Sequence, residues 1–182
     1  LHYPLRRQRQ MCIRDSGYAN PFRTVTAWRR QAERKGVHIE EGIEVTGLEP
    51  HQLGWDVIAG HKRFYADIVI NCAGAWAGTL CKWLGEPVPL RAEALMLMIT
   101  ERLTHFLNPV ASATSRPLSF KQFENGTTLI GGGIKGDFDS KRQVADTRLS
   151  GLADNAETVV SLFPFMERAR IVRSWAGAEA VL

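Results

Sequence analysis

Apolar side chains return every three or four positions at Phe22, Val25, Trp28 and Ala32, with Arg23, Arg29, Arg30, Glu33 and Arg34 between them. That period predicts an amphipathic helix with one apolar stripe and a solvated, largely basic face. Its ends are marked as well, by Asn20 as N-cap, Pro21 at the first helical position, and Lys35-Gly36 at the close. Short β-branched or alternating runs follow at 37–40, 43–48 and 55–59, the last after a turn containing Gly54, and they predict strands arranged in hairpins. Residues 65–72 (Tyr-Ala-Asp-Ile-Val-Ile-Asn-Cys) read as a strand buried on both faces. That run stops at Ala73-Gly74-Ala75, before a helical stretch over 76–84. A strand–turn–helix unit of this kind carries backbone N–H groups to the carboxyl end of a strand, where open α/β sheets bind ligands.

After Pro87 and Pro89 the pattern becomes richer in sheet. Strands are predicted at 95–100, 118–123 and 127–130, the last two joined by the hairpin signal Glu124-Asn125-Gly126. Helical spacing returns over 144–163 through Leu149, Leu152, Ala156, Val159, Val160 and Phe163, and Pro164 ends it. A last strand is predicted over 169–175. The order of elements implies a mixed α/β chain in two parts, 17–85 and 86–182, with both ends of the sequence expected to be cut from a longer protein.

Composition changes this picture in one place. The chain has 182 residues, 45% hydrophobic and 23% charged, with a net charge of +4. The run Arg6-Arg7-Gln8-Arg9-Gln10-Met11-Cys12-Ile13-Arg14-Asp15-Ser16 matches the translation of a transposase-library sequencing adapter, so residues 1–16 are set aside from fold reasoning. Without their four arginines and one aspartate the chain keeps 19 basic and 18 acidic side chains, a net charge of +1. The high pI of about 9.2 therefore carries no implication of nucleic-acid binding. No apolar run is long enough to span a bilayer and no signal peptide is recognisable, so the cytoplasm is the expected location. Three cysteines, Cys12, Cys72 and Cys81, form no CxxC pair and are expected to be reduced thiols.

Several motifs invite chemistry and lose it on spacing. Gly131, Gly133 and Gly136 have G-x-G-x-x-G spacing after a strand, but Asp137-Phe138-Asp139-Ser140 follows where a dinucleotide fingerprint needs a helix. A loop with two carboxylates is expected there instead. His38 and Glu40 would share a strand face, yet two ligands do not make a metal centre, so a surface pair is expected and no metal. Asp137 with Asp139 is read as an exposed acidic loop. His51, His61 and His105 have no ligand or catalytic partner at a useful spacing, and no serine sits in a nucleophile elbow.

Taken in order, Gly17-Tyr18-Ala19-Asn20-Pro21, the stretch 36–48, Ala66-Asp67-Ile68-Val69-Ile70-Asn71-Cys72-Ala73-Gly74-Ala75-Trp76-Ala77, then Asn125-Gly126-Thr127-Thr128-Leu129-Ile130-Gly131-Gly132-Gly133 and Arg173-Ser174-Trp175-Ala176-Gly177 resemble the D-amino-acid oxidase (DAO) family, in its glycine and sarcosine oxidase branch. The resemblance implies a partial Rossmann-like FAD-binding domain at 17–85 and a truncated mixed-sheet substrate domain at 86–182. It implies FAD contacts at Val45 and at the turn Ala73, Gly74, Ala75 and Trp76, and a substrate cavity lined by Phe120 and Gln122, on the strand Ser119-Phe120-Lys121-Gln122, and by Trp175. It also implies oxidation of the C–N bond of a small amine or amino acid such as sarcosine, glycine or an opine by hydride transfer to flavin, with partner subunits possible. No dedicated catalytic residue is implied. Alternatives are a non-catalytic subunit of the same fold and an FAD-dependent 2-hydroxy-acid dehydrogenase. The family's N-terminal G-x-G-x-x-G unit and C-terminal flavin-binding segment have no counterpart in these residues, so weak FAD binding by this piece is expected. Arg91-Ala92-Glu93-Ala94 stands where many relatives carry glycine.

Overall fold

The computed structural model describes residues 19–113 and 115–182; the adapter reading of residues 1–16 lies outside them. The described chain divides into two compact units, 19–91 with 180–182, and 92–179, against an expected boundary at residue 86.

The first unit begins with α1 (Pro21–Arg34). Asn20 Oδ1 accepts from the Arg23 N–H at 3.0 Å, as the cap pattern predicts. At the other end Gly36, at φ +85, turns the chain back so that the Val37 and Gly36 N–H groups donate to Ala32 O and Glu33 O, both at 3.0 Å. This double bond pattern is a Schellman ending, and the positive φ is why glycine stands there. A three-stranded antiparallel sheet follows, β1 (Val45–His51), β2 (Gly54–Ala59) and β3 (Lys62–Ala66), in the order β1-β2-β3. A single 3₁₀ turn, Gly74–Trp76, leads into α2 (Ala77–Trp83), which packs on β1.

Two strand expectations are corrected here. Residues 37–40 and 67–73 form no strand. β3 leaves the sheet at Ala66, paired with Trp55, and β2 begins at Gly54, so the continuing chain runs off the end of its partner. Ile68 and Ile70 are 78% and 80% exposed instead of buried on two faces. The stripe of α1 is likewise uncovered, with Phe22 78% and Trp28 71% exposed.

Charge pairs knit the three-stranded sheet. Arg63 donates to Asp56 Oδ2 at 2.8 Å and to Glu49 Oε2 at 2.9 Å, and the His51 ring lies 3.1 Å from the same Asp56 oxygen. Cross-strand register places Glu49 opposite Asp56, so Arg63 separates two carboxylates that would otherwise repel. The Arg63 guanidinium, with the His51 ring behind it, holds the Asp56 carboxyl below its ordinary range against the opposing effect of burial.

The second unit is built on a five-stranded sheet in the order β10-β4-β7-β6-β5. Its strands are β4 (Arg91–Thr100), β5 (Ala111–Ser112), β6 (Ser119–Gln122), β7 (Thr128–Gly131) and β10 (Ile171–Val181). Burial alternates along β4, with Ala94, Met96, Met98 and Thr100 inside. Register places Met98 opposite Ile130 and Ile130 opposite Phe120, so one apolar row crosses three strands. α3 (Leu149–Leu162) covers that face, with Val159 in the same cluster as Met98, Leu118, Phe120, Ile130 and Met166. Phe163 stacks on Phe120 with ring centres 4.9 Å apart and planes 14° from parallel. The hairpin expected at Glu124-Asn125-Gly126 closes with Gly126 N–H donating to Phe123 O at 2.9 Å.

Two further expectations are corrected. Residues 137–140 do not form a loop: Asp137–Asp139 is β8, paired antiparallel with β9, Val144–Asp146. The helix consequently starts at Leu149 and not near 144, because Val144 and Ala145 are committed to the hairpin.

Phe120→Ala removes the ring at the centre of the cluster and is expected to cost about 3–5 kcal/mol, read from urea denaturation. Asp56 yields a pH signature. A carboxyl depressed in the folded state adds stability above its unfolded pKa, and that stability is lost as pH falls through the folded one. The thermal midpoint is expected to fall below about pH 4, and Asp56→Asn is expected to lower it at neutral pH and flatten the acid limb.

Candidate functional site

In the second unit α3 seals one face of the sheet, and a cavity of about 460 Å³ is lined chiefly by residues of the other. Its floor is Leu95 and Leu97, the β4 positions that alternation directs away from α3. One wall is β10, where Trp175, Gly177 and Glu179 alternate along a single strand face. The opposite wall is the entry to β6, from Arg116 to Ser119, and the end is closed by Gly132 and Gly133. Gly132, at φ +145, lies so close to the 117–118 backbone that an added Cβ would come within 2.4 Å of Leu118 N. Only glycine lets the chain pass there. Gly133 and Gly177 face open space, with nothing within 4 Å of an added Cβ.

Trp175, expected at a substrate cavity, lines this one. Phe120 and Gln122, also expected at a substrate cavity, occupy the opposite parity of β6 and do not line this one. Phe120 is fully buried in the core, and Gln122 is buried beside the loop at 103–108. The Gln122 carbonyl accepts from the Phe106 and Leu107 N–H groups at 2.8 and 3.2 Å, and its amide donates to Thr104 O and Gly126 O at 3.2 and 3.1 Å. With its hydrogen-bonding capacity filled, Gln122 acts as a brace. Ser119 is the β6 residue at the cavity, and Lys121 shares its parity. Lys121 is nearly buried, its ammonium 4.2 Å from the Phe123 ring centre, and burial pushes its pKa down. Gly132 and Glu179, which the sequence reading did not name as site residues, also line the cavity, and the parity of β10 anchored on Trp175 is the signal for Glu179.

In the first unit Val45 opens β1 opposite Ala59, with a register shift before Gly47. Ala73 precedes the Gly74–Trp76 turn, whose Trp76 N–H returns to Ala73 O at 3.0 Å. Asn71 braces this turn: its Oδ1 accepts from Ala73 N–H at 3.2 Å and its Nδ2 donates to Ala77 O at 3.0 Å. The turn leads into α2, and α2 packs on β1, the strand that Val45 opens.

The discarded motifs have ordinary partners. The glycine run 131–136 enters the β8–β9 hairpin rather than a helix. Asp137 pairs with Arg148 and Asp139 accepts from the Lys141 and Arg142 N–H groups at 2.8 and 3.0 Å. Those contacts hold both carboxyls below their ordinary range. His38 and Glu40 form an exposed pair at 3.0 Å, shared with Lys62. No group of three or more His, Cys, Asp or Glu among the described residues is placed to hold a metal. Cys72 and Cys81 are free thiols, and no helix of the described residues is long and apolar enough to cross a membrane.

Comparison with known proteins gives a consistent result. The sequence profile of the family described as FAD dependent oxidoreductase (DAO) matches residues 3–181. Hydrogen cyanide synthase subunit HcnC of Pseudomonas aeruginosa is 28% identical over 163 residues, 87% of this chain and 37% of that protein. Mitochondrial sarcosine dehydrogenase of Homo sapiens is 26% identical over 178 residues, 90% of this chain and 19% of that one. The structure of L-proline dehydrogenase from P. horikoshii superposes with a TM-score of 0.77 at 22% identity, over 88% of this chain and 43% of that one. The chain thus spans less than half the length of each.

Asn71→Ala is expected to cost about 1–2 kcal/mol, because it leaves a turn N–H and a helix carbonyl without their partner. Hydrogen exchange should accelerate at residues 73–77 while the β1–β3 amides keep their protection.

Proposed function

The chain belongs to the DAO family of FAD-dependent oxidoreductases, and from that premise we propose that its full-length protein oxidises the C–N bond of a small amine or amino acid, with a secondary amine such as sarcosine or an opine as the first choice. The cavity of the second unit carries this reading. It has the volume of an ordinary ligand pocket, an apolar floor and a few polar groups at its edge, and Trp175 of the Arg173–Gly177 motif stands in its wall.

The residues present fit part of the cofactor. Gly133 and Gly177 leave side-chain-free surface at the cavity, suited to a flat ring and a small substrate, while the described residues offer no G-x-G-x-x-G turn opening a helix for the pyrophosphate. We assign Val45 and Ala73–Trp76 to the flavin-binding side and Trp175 to the substrate side. Bound flavin supplies the acceptor for a hydride leaving the carbon next to the amine nitrogen. The nitrogen lone pair closes the C=N bond, and water hydrolyses the imine to a carbonyl compound and the shortened amine. The Leu95 and Leu97 floor keeps water from the reacting carbon, and Trp175 limits where the substrate can lie. Assembly with a partner subunit is part of the proposal, since HcnC is named as a subunit, and the cytoplasm is the proposed location.

The gene read upstream of the Gly17 codon gives the full-length protein for the test. That protein is expected to purify with FAD and to lose its oxidised flavin absorbance when mixed with sarcosine or another N-alkyl amino acid without oxygen. A full-length protein without flavin, or one whose flavin stays oxidised with every primary and secondary amine offered, overturns the reading.

A further inference from the structure

We propose that Asn71 is a positioning residue for the flavin: it fixes the turn Ala73–Trp76 in the shape that receives the cofactor, and so sets how tightly the full-length protein holds it. This rests on the assignment of that turn to the flavin-binding side and adds the side chain that shapes it.

The turn stands where the backbone has little else to hold it. β3 loses its partner at Ala66, and residues 67–73 form no strand. The turn's own backbone bonds are short-range, from Trp76 N–H to Ala73 O at 3.0 Å and from Ala77 N–H to Gly74 O. Gly74 lies at φ +54, and nothing stands within 4 Å of a Cβ added to it, so the turn is open on that side. Trp76, in the same turn, is 43% exposed. A glycine-hinged turn with an open side has many shapes within reach, and a ligand that needs one of them binds more weakly by the cost of ordering it.

Asn71 supplies the restraint with one side chain. Its Oδ1 accepts from Ala73 N–H at 3.2 Å, and its Nδ2 donates to Ala77 O at 3.0 Å and to Cys81 Sγ at 3.5 Å. Those partners lie two, six and ten residues ahead, so one amide clamps the entry to the turn, the first residue of α2 and a residue four positions further along that helix. Since α2 packs on β1, the clamp refers the turn to the sheet. An amide suits the place because it carries an acceptor and two donors on one planar group. An aspartate of the same shape keeps the acceptor but sets a second carboxylate oxygen against Ala77 O, where a donor is needed.

The test strips the full-length protein of flavin and titrates it with FAD, read by flavin fluorescence and by visible circular dichroism. Asn71→Ala and the isosteric Asn71→Asp are both expected to weaken FAD roughly tenfold or more and to change the circular dichroism of the flavin that does bind. Asp56→Asn weakens the β1–β3 sheet of the same unit and is expected to lower the thermal midpoint while leaving FAD affinity within about twofold of wild type, which separates lost positioning from lost stability. Asn71 variants that hold FAD as wild type does, an Asp56→Asn loss as large as theirs, or wild-type protein that takes up no FAD overturns the proposal. No amine enters these measurements. A full Asn71 effect in a protein whose flavin no amine reduces would sustain the positioning role and sink the amine-oxidising reading; flavin reduced by sarcosine with indifferent Asn71 variants would do the converse.

Discussion

The apolar row that runs Met98, Ile130, Phe120 across β4, β7 and β6 and seats against Val159 of α3 is the contact on which the second unit depends. Burying each such side chain contributes roughly 1.5–3 kcal/mol, and together they fix which parity of each strand is inside. Because side chains alternate, that choice dictates the other face without further instruction: Leu95, Leu97 and Ser119 are turned to the cavity as a consequence of where Met98 and Phe120 go. A slip of one residue in β6 would carry Phe120 to the cavity and Ser119 into the core. The phenylalanines guard against it, since Phe163 stacks on Phe120 and Phe106 lies 6.0 Å from it.

That seal also shows how buried polar residues are accommodated here. Gln122 is as deeply placed as the core hydrophobics, and it is tolerated because four backbone groups of the loop and hairpin satisfy its amide. Its effect on the cavity is indirect, through the loop at 103–108 that it holds. Thr100 plays a similar part between β4 and β7, with its hydroxyl accepting from Thr128 N–H at 3.0 Å and donating to Glu101 O at 2.7 Å.

Local signals were legible to the extent that their physics is local. The Asn20 cap, the Lys35-Gly36 ending and the Asn125-Gly126 turn each depend on groups within a few residues, and each is found where its residues stand. Strand existence in β2, β4, β6 and β7 was also readable, since β-branched and alternating runs have few other uses. What failed needed a distant partner. Residues 65–72 have the composition of a doubly buried strand, but a strand forms only beside another, and among the described residues β3 loses its neighbour at Ala66. The parity of β6 was unreadable for a related reason: Ser119-Phe120-Lys121-Gln122 alternates, but nothing within it says whether Phe120 or Lys121 meets a helix. Trp175, named by resemblance, lines the cavity, while Glu179, two alternations further along the same strand face, carried no motif to mark it.

The two units distribute their apolar surface in opposite ways. In the second unit the hydrophobic residues find each other across the sheet and under α3. In the first, the α1 stripe and the isoleucines at 68 and 70 remain exposed, and the β1–β3 sheet is held largely by cross-strand pairing and the Glu49, Asp56 and Arg63 charges. Exposed charge pairs contribute little against the entropy of ordering a chain, so the first unit has the smaller reserve of stability of its own. A cavity framed by a sheet with its own core can change its lining without disturbing the fold that carries it. Glu179, Gly177 and Arg116 are all at surface positions whose alteration leaves the Met98–Ile130–Phe120 row intact. Single substitutions on the open face can therefore reshape the cavity, while the sealed face holds the strands, and with them the spacing of its walls, unchanged.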